Sequence, residues 1–257
     1  MVLTALLVVV LGIHVASALR VGPLTAQRWG RTRGLTLNDR LTEQLVRHLR
    51  RIRWARAGAT TVLGSASLAL ALLHQPAISF LSLPLLLAVL AAHLLVPEPR
   101  RGRVRTAALE RRPSSYFAPR RTLTLVRCLL PLAVAASTYG VLTEPRLRTM
   151  LLVHLASLVL GAAALERALL LVTRRGLPDR TDDLALDCAL RVADARTVTA
   201  AGLVFSAVGL ALGSAALFRD LGPQANLVFS PLVSLGLPGA VIAAIILTRP
   251  LPSWRPA

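Results

Sequence analysis

Three sets of residues in this chain are spaced for chemistry. The first is a pair of acid–acid–arginine ladders, Asp39, Glu43, Arg47 and Asp183, Asp187, Arg191. Rungs four residues apart lie along one face of a helix, where carboxylate and guanidinium form salt bridges. The second set is ionisable and lies within apolar stretches: His14, His93, Arg127, Glu166 and Arg167. Charge is expensive in hydrocarbon, so such groups are functional candidates by default. A Glu166–Arg127 pair with His93 or His14 nearby would make a proton-responsive or anion-binding cluster. The competing reading is that these groups snorkel to the headgroups or pair structurally. The third set breaks helices: Pro84, and Gly236, Pro238 and Gly239 of a Gly-Leu-Pro-Gly run. Such breaks free backbone carbonyls, as broken transporter helices do at substrate sites, or make ordinary kinks sealed by neighbouring helices.

The elements that must carry these residues are long and apolar. The chain has 257 residues, of which 54% are hydrophobic and 16% charged, with a mean hydropathy of +0.62. These values lie outside the range of soluble domains. Apolar runs of about eighteen residues or more cross a ~30 Å hydrocarbon core as helices. Seven are readable, at about 1–19, 57–74, 77–96, 123–142, 150–172, 198–217 and 227–248. The expected fold is therefore an all-α, polytopic bundle of about seven transmembrane helices.

Charge assigns sides to these spans. The formal net charge is +18 and every basic residue is arginine. Ten arginines fall between Arg20 and Arg56, eight between Arg100 and Arg121, and five between Arg174 and Arg196. The alternate loops hold only Arg146, Arg148 and Arg219. This alternation follows the positive-inside rule for a plasma-membrane protein with its N-terminus outside and its C-terminus in the cytoplasm. The basic charge thus reads as a topology signal whose counterpart is anionic inner-leaflet lipid, with no nucleic-acid partner. Ala16-Ser17-Ala18 resembles a signal cleavage site, but no lysine or arginine precedes it to form a basic n-region, so the first run is expected to stay as a span.

Two cytosolic connectors are expected to be helical. In 36–56, Thr36 or Asn38 can cap the helix. Leu37, Leu41, Leu45, Leu49 and Ile52 form an apolar stripe, and Arg47, Arg50 and Arg51 lie on the other side. The stripe either enters the membrane interface, with the arginines at lipid phosphates, or packs on the second connector or a partner. In 178–197, Asp183, Asp187 and Arg191 share a polar side, with Leu184, Leu186, Leu190 and Val192 away from it. Both connectors begin near Arg-Gly-Leu and lead to Ala-Gly, at Ala57-Gly58 and Ala201-Gly202. Together with Leu-Pro, Ala-Ala and Pro-x-Pro in spans three and seven, this suggests an internal repeat. The units would be 1–99, with three spans, 100–149, a basic loop and a linking span, and 150–257, with three more. Three plus one plus three spans makes the copies parallel, related by an axis along the membrane normal.

Enzyme signatures such as H-E-x-x-H, G-x-S-x-G and glycine-rich phosphate loops are missing; no catalytic residue, cofactor or metal is expected. Cys128 and Cys188 are not placed for a disulfide. The segment from Arg174 to Gly202, TRRGLPDRTDDLALDCALRVADARTVTAAG with its leading Thr173, resembles connectors in uncharacterised multi-pass membrane proteins of actinobacteria. That resemblance implies a location in the membrane and carries no activity. Two functions are expected. One is a transport component, a small-solute carrier or permease-like subunit. The alternative to it is a non-catalytic accessory protein that binds anionic lipid or a cytosolic protein through its charged connectors; a homo-oligomer is the other partner expected.

Overall fold

The computed structural model describes residues 19–74, 79–94, 119–145, 148–173, 181–220 and 238–249, and positions 12, 15, 16 and 117. The described chain is all-α. Its helices are α1 (Pro23–Arg31), α2 (Asp39–His74), α3 (Ser79–Leu94), α4 (Arg120–Thr143), α5 (Arg148–Thr173), α6 (Thr181–Asp220) and α7 (Pro238–Thr248).

Two of these helices are longer than any span needs. α2 has 36 residues and α6 has 40, which at 1.5 Å per residue is about 54 and 60 Å. Each connector helix and the apolar run after it are one uninterrupted helix. Gly58 does not break α2, and Gly202 does not break α6. Asn38 is the cap that starts α2: its side-chain Oδ1 accepts the Leu41 N–H at 2.9 Å. The turn before it closes at Gly34, whose φ of 69° lies in the left-handed region that glycine adopts without strain.

The main core lies among α3, α4, α5 and α6. Leu90 of α3, Val126 and Leu130 of α4, Leu158 and Leu165 of α5, and Val198 and Phe205 of α6 share one buried cluster. α4 and α6 make the most extensive contact, and α5 packs on both. Among the described residues, three helices are long and apolar enough to cross a membrane: Arg120–Thr143, Arg148–Thr173 and Leu184–Ser214. The outer surfaces of α4 and α5 carry Leu125, Leu132, Leu142, Leu152, Val159 and Leu160 exposed, apolar side chains suited to lipid. α3 and α7 are apolar but shorter, with Pro84 inside α3 and Pro238 as the first residue of α7.

A second, smaller core lies outside this bundle. Ala26 of α1, Leu41 and Leu45 of α2, and Leu186 and Leu190 of α6 form one buried cluster, flanked by Trp29, Leu35, Leu37, Val46 and Leu49. The stripe on the first connector is therefore used inside the protein, against α1 and the second connector. Phe117, Val172 and Ala195 close the space beside it.

Candidate functional site: the charged junction of the long helices

The two ladders meet opposite environments. In α2, Arg47 approaches Glu43 at 3.5 Å with both side chains 69% exposed. In α6, Arg191 Nε donates to Asp187 Oδ2 at 2.7 Å inside the protein, with Arg191 only 4% exposed. Arg191 also donates to the Thr173 carbonyl at the end of α5 and faces the Phe117 ring at 5.9 Å. Asp187, Arg191 and Asp194 are all buried, as are Leu186 and Leu190 on the same helix. The expected division of 178–197 into a polar and an apolar side does not describe this packing: α6 is enclosed on more than one side, and its charged rungs turn inward. The Asp183 side chain lies outside the described residues.

One turn beyond the Leu45 cluster, His48 of α2 reaches Asp194 of α6, Nε2 to Oδ2 at 3.7 Å, with both side chains buried. Further along α2 come Arg53 and Arg56. Side chains in a helix lean toward its N-terminus, so Arg56 reaches back toward the Asp194 level. Burial lowers its affinity for a proton, the Asp194 charge restores part of it, and Arg53 lowers it again. Burial lowers Arg53 as well. Arg33, in the turn after α1, is brought down to about 10, first by burial and then by the neighbouring Arg196 charge. Its guanidinium stacks on Trp29, 3.9 Å from the ring centroid, and donates to the Trp29 carbonyl. Among the described residues, the buried Nε–H groups of Arg56 and Arg196 meet no hydrogen-bond acceptor.

Of the intramembrane candidates, two are joined directly. Arg127 and Glu166 do meet, across α4 and α5, in a two-pronged pair: Nε to Oε1 at 2.9 Å and Nη2 to Oε2 at 3.0 Å. Both side chains are about half exposed, so the pair lies on the outside of the helix bundle. Arg167, the next residue, is exposed, and His93 is buried in α3. Pro84 sits within α3 with its side chain outside the description, and Gly239 has open space around it. His14 and Gly236 lie outside the described residues. Arg50 donates to the Val21 carbonyl before α1, while Arg28, Arg31 and Arg47 are exposed.

One polar contact in the bundle had little sequence signal. His154 is 1% exposed, and its Nε2 lies 3.1 Å from the Gly209 carbonyl. A carbonyl only accepts, so Nε2 carries the proton. Gly209 and Gly213 explain how α6 comes so close: a Cβ at Gly209 would strike Leu158, and one at Gly213 would lie 3.0 Å from the Ala133 carbonyl and 2.5 Å from Ser137 Oγ. The G-x-x-x-G spacing thus marks a true close approach. Among the described residues, no three His, Cys, Asp or Glu side chains come together as a metal site would require.

No protein-family model matches the chain, and comparisons with curated proteins and with solved structures find no match.

Proposed function

We propose that this protein is a non-catalytic accessory component of the plasma membrane that holds a basic helical module against anionic inner-leaflet lipid. The observation that carries this reading is where the charge goes. The apolar stripe of the first connector is consumed in joining α1, α2 and α6, and the Asp187–Arg191 rungs of the second are enclosed against the end of α5. Arg20, Arg28, Arg31 and Arg47 are left facing outward. A rigid module with arginines outside and salt bridges inside is suited to meeting phosphate headgroups, each nearby arginine contributing about 1 kcal/mol.

This reading includes seven crossings, an outer N-terminus and a cytoplasmic C-terminus. The parallel repeat is supported by the long helices: when Asp39 is set against Asp183, α2 and α6 agree within two residues at both ends. The test is the purified chain in nanodiscs. With phosphatidylglycerol present, its melting midpoint should exceed that in neutral phosphatidylcholine discs, and the difference should shrink in high salt. Replacing Arg28, Arg31 and Arg47 by Gln should abolish most of the difference. Equal midpoints in both lipids would remove the reading.

A transport component is the second reading, favoured by the two-pronged Arg127–Glu166 pair at a depth where charge is costly. Glu166→Gln should then alter a solute-dependent growth or uptake phenotype at unchanged protein level. A phenotype that does not change rejects it.

A further inference from the structure

We propose that the Arg127–Glu166 pair is the contact through which two copies of this chain associate side by side in the bilayer. The proposal rests on α4 and α5 lying in the membrane, and on neither reading of function.

The pair is well made but only half covered. Arg127 Nε and Nη2 donate to the two carboxylate oxygens of Glu166 at 2.9 and 3.0 Å, yet the side chains stay 50% and 45% exposed. It also lies deep. α4 starts at Arg120 and α5 ends at Thr173, with Arg121 beside the first end and Arg174 and Arg175 beside the second. Arg127 is seven residues in from the first end and Glu166 seven in from the second, about 10 Å at 1.5 Å per residue. With the terminal arginines among the headgroups, that depth falls in hydrocarbon, whose half-thickness is about 15 Å. The exposed half of the pair presents further guanidinium N–H donors and carboxylate lone pairs together. Acyl chains answer neither, and a lipid phosphate answers the donors alone. A second copy of the same pair answers both.

Symmetry makes that match. Copies inserted the same way round face each other across a twofold axis along the membrane normal. Such an axis sets one edge of the α4–α5 face against the opposite edge of its copy. Arg127 on α4 then stands opposite Glu166 of the second copy, and Glu166 on α5 opposite the second Arg127. Both residues are equally far from their helix ends, so the opposed charges are level. Pro131 and Ala135 on α4 and Ala163 on α5 are exposed next to the pair, and are small enough to let the faces approach.

The experiment fuses the whole chain to a donor or an acceptor fluorescent protein and reconstitutes both together in phosphatidylcholine liposomes. Energy transfer is followed as lipid is added. The native sequence should show transfer above random encounter that falls on dilution in lipid. Arg127→Glu places two acids at the contact, and Glu166→Arg places two arginines there. Each variant alone should need about tenfold or more protein per lipid to reach the same transfer, because one substitution spoils both symmetry-related contacts. Mixed with each other, the two variants should recover most of the transfer, since every contact then joins an acid to an arginine. A damaged fold does not recover on mixing. Arg127→Gln combined with Glu166→Gln keeps the size and removes the charge. It should also lower transfer, and it serves where a charge reversal does not fold.

Three results overturn the proposal. Native transfer no greater than random means that the pair faces lipid. Transfer that the charge reversals or the double Gln substitution leave unchanged means that the copies meet elsewhere. Loss in both reversals without recovery on mixing means that the pair acts within one copy.

Discussion

At the scale of single residues, burial changes what a charge contributes. The exposed Glu43–Arg47 pair and the enclosed Asp187–Arg191 pair have the same spacing and chemistry. The first is solvated, and breaking it should change stability by no more than about 0.5 kcal/mol. Removing one partner of the second leaves a charge in a dry place, a cost of about 3–5 kcal/mol. Asp187→Ala should therefore lower the melting midpoint sharply where Glu43→Ala leaves it nearly unchanged. Comparable effects of the two substitutions would mean that water reaches Arg191. Both ladders were legible in the residues 39–47 and 183–191. Their difference was not, because exposure belongs to what packs around a helix and not to its own spacing.

At the scale of elements, the helices are specified by local signals and joined by small residues. Asn38 stops the turn and starts α2 by accepting the Leu41 N–H; Asn38→Ala should cost about 1 kcal/mol of stability. Glycine has two meanings here. Gly58 has nothing near its missing side chain, so Gly58→Ala should be neutral or stabilise α2 by up to about 1 kcal/mol. Gly213 sits against the α4 backbone, so Gly213→Ala forces α4 and α6 apart and should destabilise by about 1–3 kcal/mol. Thermal unfolding of both variants in one detergent checks the sign. If Gly213→Ala were as harmless as Gly58→Ala, α4 and α6 would not be in contact at that level. His154 belongs to the same interface: its hydrogen bond to Gly209 is reachable only because Gly209 has no side chain.

At the scale of the whole molecule, an apolar bundle is continued by a charged module built from two of its own helices. α2 and α6 each contribute to both parts, so motion of one part is coupled to the other through about 54–60 Å of helix. The proposed topology, with both connectors on the cytoplasmic side, makes a direct prediction. In a cysteine-free background, single cysteines at positions 28 and 47 should react with membrane-impermeant maleimide only after the cell is opened. Labelling from the outside in intact cells would reverse the assignment of sides, and the contact with inner-leaflet lipid would go with it.

Composition and hydrophobic period alone determined that the chain is helical and apolar enough for a membrane, because those properties are sums over local sequence. Arg127 and Glu166 could also be matched from sequence, since opposite charges in adjoining apolar runs have few other partners. Tertiary structure decided the rest. It turned the Asp187–Arg191 rungs inward and set His48 against Asp194. Which face of a helix is enclosed depends on residues more than a hundred positions away. No periodicity within a segment can report on neighbours that distant.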